Sequence, residues 1–224
     1  EAGAAEAWVV TGHSAPVATT DTQAGWPVSS GAIRRELGAL VEDPDVDAVY
    51  VCVPPHAHGD IEEQIIAAGV ALFVEKPLGI DVCTARRIAD LADQRGVLSA
   101  VGHHWRYSDA VGLVREMLED RPIRLAVGSW LDRVPPVTWW IKRTLSGGQI
   151  VEQAVHVLDL IRLFVGEVAE VSAYANTTPP STPGADVDGA TGAVLRFRSG
   201  ALGTVTAACC LARKQPASLD RRAD

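Results

Sequence analysis

The sequence predicts an α/β protein in two parts, with a parallel sheet first and a mostly antiparallel, open sheet after it. In the first part, short apolar runs that are typical of buried strands alternate with helical patterns. Strict alternation of strands and helices predicts a parallel sheet with crossover helices. In the second part, strand-like runs follow one another with few helices between them, which predicts an α+β domain. We therefore place the two domains at residues 1–104 and 105–224.

The first part is punctuated by residues that start and stop strands. Asp43-Pro44-Asp45 forms a turn, because proline presets φ and aspartate side chains accept hydrogen bonds from nearby backbone amides. Pro54-Pro55 ends the strand that follows, because two prolines cannot continue a central hydrogen-bond ladder. The predicted elements are, in order, a strand at Trp8–Val10, a helix over Ile33–Val41, a strand over Ala48–Val53, a helix over Ile61–Ala68, a strand over Ala71–Val74, a helix over Ala85–Asp93 and a strand over Leu98–Val101.

The second part has fewer helices and longer strands. A segment rich in Thr, Pro, Asp and Gly, Thr177–Gly189, is the clearest predicted loop. The predicted elements are helices over Ala110–Leu118 and Gln153–Val165, and strands over Leu125–Leu131, Val168–Asn176, Ala190–Phe197 and Leu202–Ala208.

Charge and hydropathy exclude several classes of partner. The 224 residues carry 20 basic and 28 acidic side chains, for a formal charge of −8, and no basic cluster that would bind nucleic acid. No apolar run approaches the roughly 18 residues of a membrane span, and no export signal pattern opens the chain. The four cysteines show no C-x-x-C spacing, which predicts reduced thiols in a cytoplasmic protein, with Cys52 and Cys210 buried.

Polar side chains follow two neighbouring strands of the predicted parallel sheet. His56 and His58 come after the prolines that end one strand, and Lys76 follows the next strand. Open α/β sheets bind ligands at the carboxyl ends of their strands, where a lysine can polarise or protonate an oxygen. The alternatives are a surface lysine paired with Glu75, a His58 that begins the next helix, and a solvated His56. No third ligand lies near the histidines, so we predict no metal site.

A third candidate group lies in the second part, where Gly147-Gly148 precedes a helical pattern. Glu152 and His156 are four residues apart and Asp159 is three further on, so the three share one face of a helix. A histidine oriented by a carboxylate is a general acid or base at neutral pH. The alternative is a capping glutamate, a core histidine and an exposed aspartate.

Together these motifs resemble the Gfo/Idh/MocA oxidoreductases, named for glucose-fructose oxidoreductase, inositol dehydrogenase and a rhizopine catabolism protein. The resemblance runs from about residue 7 to 212, in the order Pro54-Pro55-x-x-His58, Glu75-Lys76-Pro77, Gly147-Gly148 and the helix with His156. It implies a Rossmann domain that binds NAD or NADP, followed by a domain whose open sheet walls a substrate site. It also implies oxidation or reduction of a sugar, cyclitol or related polyol, and a homo-oligomer formed through the C-terminal sheet.

The resemblance also implies a role for each candidate residue. Lys76 would contact the substrate hydroxyl and assist proton transfer, and His156 would be the general acid or base. Glu152 stands where many members have Asp, which keeps the carboxylate but lengthens its reach. The remaining expectations are cofactor contacts at Pro54, His58, Glu75, Pro77 and Arg106, and substrate contacts or pocket walls at Tyr107, Asp159, Trp139 and Trp140.

The sequence departs from the family pattern at both ends. It has no G-x-G-x-x-G, the turn that brings backbone amides to a pyrophosphate. Ala7–Thr11 resembles the second family strand, and the chain stops at Asp224 before further family strands, so we expect a chain truncated at both ends.

Thr11-Gly12-His13-Ser14 has no acid for a ribose hydroxyl, which favours NADP. The alternative to an enzyme is an inactive remnant, or a non-catalytic ligand sensor or regulator on this fold.

Overall fold

The structure is a computed structural model that describes residues 37–118 and 121–211. The predicted strand at Trp8–Val10 and the segment Thr11–Ser14, on which the NADP prediction depends, lie outside the described residues.

The first part folds as a parallel sheet, and this prediction is confirmed. Its strands lie in the order β1-β2-β3, and both pairings are parallel. Strand and helix alternate along the chain because, between two parallel strands, a crossover helix must bring the chain back from the end of one strand to the level where the next begins. The elements are α1 (Leu37–Val41), β1 (Ala48–Val51), a 3-10 helix (Pro55–Ala57), α2 (Asp60–Ala67), β2 (Ala71–Glu75), α3 (Val82–Arg95), β3 (Ser99–Gly102) and a second 3-10 helix (His104–Tyr107).

The crossover helix α3 begins and ends at residues suited to those positions. The carboxylate of Asp81 accepts a hydrogen bond from the backbone N–H of Thr84 at 2.8 Å, which satisfies a donor at the open end of the helix. Gly96 ends the helix with φ at +62°, a conformation that costs glycine little. Helices α2 and α3 pack on the sheet through an apolar core that includes Ile65, Ile66 and Val74.

The second part forms a mixed sheet that is mostly antiparallel, again as predicted. Leu125–Leu131 (β4) pairs in parallel with Leu202–Ala208 (β7), which pairs antiparallel with Ala190–Phe197 (β6), and β6 pairs antiparallel with Val168–Asn176 (β5). The elements are α4 (Asp109–Leu118), β4 (Leu125–Leu131), α5 (Arg143–Ser146), α6 (Gln149–Glu152), α7 (Val155–Val165), β5 (Val168–Asn176), β6 (Ala190–Phe197) and β7 (Leu202–Ala208).

Helix α7 lies directly against one face of this sheet, and a glycine allows the close approach. A Cβ atom built on Gly128 would lie 2.3 Å from Val157 Cγ1 and 2.8 Å from Ile161 Cδ1. Ile161 then packs with Leu195 and Phe197 in a second core cluster. The contact fixes α7 above β4, which places the residues of its first turn near the domain junction.

The structure corrects the predicted start of this helix. We expected one helix from residue 152 or 153 to Val165, but α6 ends at Glu152 and α7 begins at Val155. Gln153 lies between them with φ at −110°, outside the narrow range of an α-helix. Glu152 and His156 are therefore not on one continuous helix.

All four cysteines are free in the structure, and the prediction that Cys52 and Cys210 are buried is wrong. Cys209 is buried, whereas Cys52, Cys83 and Cys210 are exposed. Side chains alternate between faces along an extended chain, so Cys52 points away from the side that buries its neighbour Val51. An apolar run alone did not specify which face each residue occupies.

No helix among residues 37–118 and 121–211 is long and apolar enough to cross a membrane.

Candidate active site

The carboxyl ends of the three parallel strands meet at one edge of the first sheet. Val51 pairs with Val74, and Glu75 pairs with Gly102, so the strands end at nearly the same level. Pro54, Lys76 and His103 follow β1, β2 and β3 respectively. This edge faces the segment that carries α6 and α7, and the candidate side chains from both parts of the chain meet there.

Lys76 reaches across the junction to Glu152. Its Nζ donates to Glu152 Oε1 at 2.5 Å and to the backbone carbonyl of Glu152 at 2.8 Å. Only 16% of the lysine side chain and 13% of the glutamate side chain are exposed. The alternative of a surface lysine paired with Glu75 is wrong, because Glu75 instead accepts a hydrogen bond from the backbone N–H of Lys76 at 3.2 Å. The peptide bond between Lys76 and Pro77 is cis.

The second oxygen of the Glu152 carboxylate is held by Trp140. The indole Nε1 donates to Glu152 Oε2 at 2.8 Å, and Trp140 is only 1% exposed. We expected Trp140 to form a pocket wall, but the structure places it behind the carboxylate. Trp139, its neighbour, is half-buried and packs at the edge of the same apolar cluster.

His156 is buried among other rings. It is 5% exposed, with its ring nearly parallel to those of Trp105 and Trp130, at centroid distances of 5.2 Å and 5.8 Å. His104 contacts it edge-on, with a centroid distance of 5.0 Å. The Nδ1 atom of His156 is buried and has no hydrogen-bond partner within the described part of the chain. The predicted orienting contact from Glu152 is therefore absent there, because that carboxylate is engaged by Lys76 and Trp140.

Burial lowers the pKa of His156 from 6.5 to about 4, and the positive charge of Lys76 acts in the same direction. His104 and His103 add to the effect, while the carboxylate of Glu152 opposes it. The imidazole is thus neutral at pH 7 and can accept a proton, but it carries no charge that would need a partner.

Asp159 and Arg106 form a two-point ion pair across the same junction. Arg106 Nε and Nη2 donate to the two carboxylate oxygens of Asp159 at 2.8 Å and 2.6 Å. His103 Nδ1 lies 3.9 Å from Asp159 Oδ1, and burial lowers the pKa of His103. The pair ties the 3-10 helix after β3 to α7, so Arg106 and Asp159 each have a partner within the protein. Tyr107, next to Arg106, is 75% exposed.

The loop after β1 is braced by a buried pair of side chains. His58 Nδ1 lies 2.6 Å from Glu62 Oε1, and the other oxygen of Glu62 accepts a hydrogen bond from Gly59 N–H at 2.6 Å. Glu62 is fully buried and His58 nearly so. His58 is therefore a loop-bracing residue at the start of α2, as the alternative interpretation had it. His56 is not simply solvated, because its Nδ1 lies 3.3 Å from the carbonyl of Leu145.

The paired glycines make the turn from α5 to α6. Gly147 and Gly148 have φ values of +73° and +81°, which side-chain-bearing residues rarely adopt. A Cβ atom on Gly147 would lie 2.8 Å from the Val151 side chain, too close for a residue other than glycine, whereas one on Gly148 would make only an ordinary contact with Val187 at 3.9 Å. The two glycines allow a tight turn in which the backbone of Gly147 lies close to the side chain of Val151. This turn places Glu152 opposite Lys76.

Sequence reasoning missed several residues that shape this site. No role for His103, His104, Trp105, Trp130 or Glu62 was predicted from the sequence. The close spacing of His58 and Glu62 at a helix start could have suggested their contact. Nothing in the sequence indicated that Trp130, from β4, would meet His156. Within residues 37–118 and 121–211, no group of three or more potential ligands could hold a metal ion.

The described residues suit the nicotinamide end of a dinucleotide. An amine and a neutral imidazole lie together at the carboxyl edge of a parallel sheet, where such cofactors present their reactive ring. Pro54, Glu75 and Pro77 border the same edge, and the buried Nδ1 of His156 has no hydrogen-bond partner among the residues that the structure describes.

Two family models match the chain. The first, described as the oxidoreductase family with an NAD-binding Rossmann fold, covers residues 6–103, and the second, a GFO/IDH/MocA C-terminal domain, covers residues 121–222.

Three of the curated relatives are sugar or cyclitol dehydrogenases. Levoglucosan dehydrogenase of Pseudarthrobacter phenanthrenivorans is 27% identical over 86% of this chain and 59% of that protein. Myo-inositol 2-dehydrogenase of Thermotoga maritima is 32% identical over 74% of this chain and 51% of that protein. The NAD(+)-dependent scyllo-inositol 2-dehydrogenase of Bacillus subtilis is 29% identical over 86% of this chain and 58% of that protein. The chain thus spans little more than half the length of these relatives.

Solved structures give the same result. Levoglucosan dehydrogenase in complex with NADH superposes with a TM-score of 0.73 at 27% identity, over 79% of this chain and 51% of that one. Its complex with NADH and levoglucosan gives the same TM-score, identity and coverage.

Proposed function

The chain belongs to the Gfo/Idh/MocA family of oxidoreductases, and from this membership we propose that it forms part of a nicotinamide-dependent dehydrogenase. Its substrate would be a sugar, a cyclitol or a related polyol. The observation that carries the proposal is that Lys76, at the carboxyl edge of the parallel sheet, binds Glu152 from the second part of the chain and lies near enough for its charge to lower the pKa of His156. The names of the relatives support the substrate class.

In this proposal Lys76 and His156 manage the proton of the reacting hydroxyl. The ammonium of Lys76 polarises the substrate oxygen, and Glu152 keeps it at that position through two contacts. His156, neutral at pH 7 because of its lowered pKa, accepts the proton. The bound nicotinamide supplies the hydride acceptor or donor. The surrounding rings exclude water from the imidazole.

On the cofactor side we propose that Pro54, Glu75 and Pro77 border the nicotinamide directly. His58 would act through the loop that it braces, and Arg106 through its ion pair with Asp159. The family description and the NADH complexes of similar structures support NAD(H) as the cofactor. The segment Thr11–Ser14 instead predicts a weak preference for NADP, and the affinities of the protein for NADH and NADPH would decide between the two.

On the substrate side we propose that Tyr107 and Trp139 contact the polyol. Tyr107 is mostly exposed beside Arg106, and Trp139 is half-buried beside the residue that holds Glu152. Aromatic rings suit the apolar faces of sugars. Trp140 and Asp159 would act through Glu152 and Arg106 instead of touching the substrate.

The test is a titration of the full chain with NADH and NADPH, followed by nicotinamide fluorescence, and then turnover with a panel of polyols. The panel takes its members from the relatives: myo-inositol, scyllo-inositol and levoglucosan. Cofactor binding with reduction of NAD+ or NADP+ in the presence of one polyol supports the proposal. Binding without turnover of any polyol would favour the sensor or regulator, and binding of neither cofactor would favour the inactive remnant.

We also propose that the chain assembles with itself through the outer face of the second sheet. That face carries exposed apolar side chains in neighbouring strands, among them Val127, Val194, Leu202 and Tyr174. Contiguous exposed apolar surface of this kind marks interaction sites. Light scattering after size-exclusion chromatography would give the mass in solution, and a strictly monomeric protein would refute this assembly.

The domain boundary and the cellular location are proposals as well. We place the boundary between residues 104 and 105, inside the 3-10 helix that links β3 to α4. We propose the cytoplasm as the location, supported by four free cysteines in the described residues. Limited proteolysis would test the boundary by showing where the chain is cut. A fluorescent fusion would test the location by showing where the protein accumulates in the cell.

A further inference from the structure

We infer that Trp140 is a positioning residue for the reaction, acting on Lys76 through the carboxylate of Glu152. This inference rests on the proposed function. It starts from the two oxygens of that carboxylate, which face different donors: Oε1 binds the Lys76 ammonium at 2.5 Å, and Oε2 binds the Trp140 indole N–H at 2.8 Å. With both oxygens engaged, the carboxylate is held against rotation about its terminal torsion.

The indole is suited to this task because it is itself immobile. Trp140 is 1% exposed and packs against Val187 and Cys209, which are equally buried. Val187 belongs to the long segment between β5 and β6, and Cys209 follows β7. Indole nitrogen is a donor only, so it can bind Glu152 solely through this N–H. The ring thus links the rigid end of the second sheet to the carboxylate.

The consequence for chemistry lies in where the lysine ammonium sits. The Glu152 side chain has three rotatable bonds, so several rotamers must be restricted to hold its carboxylate in one place. Without the indole donor, the carboxylate could turn and carry the Lys76 ammonium away from the reacting oxygen. A small misplacement of a catalytic group lowers turnover much more than it lowers binding.

The test replaces Trp140 by Phe, which keeps most of the ring volume and removes the N–H. We expect kcat to fall about tenfold or more with KM changed less than about threefold, since a hydrogen bond to a charged group is lost. The stability control is Val205→Ala, a cavity in the second core away from the site, which should leave kcat within about twofold. Unchanged kcat in Trp140→Phe would overturn the inference.

A second measurement does not depend on turnover. The Trp140 indole proton, assigned by its disappearance in Trp140→Phe, should give a downfield NMR resonance that is slow to exchange with water. Glu152→Gln should move that resonance, because the neutral amide is a weaker acceptor than the carboxylate. If the resonance does not move, the inference about Trp140 is wrong, and the proposed function is unaffected. If the resonance moves but the protein has no dehydrogenase activity, the contact is real and only the proposed function is contradicted.

Discussion

The two proposed proton-handling groups are held in opposite ways. Lys76 is fixed by charge, with a carboxylate and a carbonyl as partners, whereas His156 is fixed by shape, between rings, with a buried nitrogen that has no partner in the described residues. A charged amine needs such partners when it is removed from water, and a neutral imidazole does not. The lysine is therefore positioned by polar partners, whereas burial among rings keeps His156 uncharged at neutral pH.

The largest effect should come from removing either group. Lys76→Ala or His156→Ala should lower kcat by roughly 100-fold or more if each does general acid-base work. Steady-state kinetics with the polyol found active would measure this. Arg162→Ala is the control, because its ion pair with Glu167 is exposed and lies at the far end of α7, so kcat should stay within about twofold. Near-normal turnover in both alanine variants would refute the assignment.

A smaller effect is expected on the pKa of His156 when the charges near it are removed. Lys76→Met should raise the pKa of His156 above about 4, because the lysine charge lowers it. Glu152→Gln should lower that pKa, because the glutamate charge raises it. An NMR titration of the His156 ring carbons in each variant measures both shifts. If the pKa of His156 stays the same in both variants, the charges of Lys76 and Glu152 do not affect it, and the electrostatic part of the comparison is refuted.

The smallest effect concerns stability. The pKa of His156 is about 4 in the folded protein and 6.5 when exposed, so the unfolded chain binds more protons between these values. Stability from this residue is therefore complete above about pH 6.5 and is lost as the pH falls toward 4. We expect a loss of about 1.5 kcal/mol in the free energy of unfolding between pH 6.5 and pH 5.

Urea unfolding at several pH values would measure this loss. His156→Phe, which keeps an aromatic ring without a titrating group, should depend less on pH over the same range. Some dependence should remain, because the lowered pKa of His103 acts with the same sign. Equal slopes in the two proteins would show that His156 does not titrate in this range.

Much of the fold followed from local pattern. The alternation of strands and helices in the first part, and the succession of strands in the second, are properties of short segments and were confirmed by both sheets. The break between α6 and α7 at Gln153 was not predicted, because the residues around it continue the helical pattern and contain no proline or glycine. Side-chain alternation likewise decided that Cys52 is exposed while Val51 is buried.

The sequence by itself determined the family, the two kinds of sheet, and the candidates Lys76, Glu152 and His156, because residue types at short spacings carry that information. Only the tertiary structure decided which groups are partners. Glu152 does not orient His156 but binds Trp140 and also Lys76, which is 76 residues away in the sequence. The neighbours of His156 are Trp105 and Trp130. Contacts between distant segments depend on how the two sheets pack, and no local pattern records that geometry.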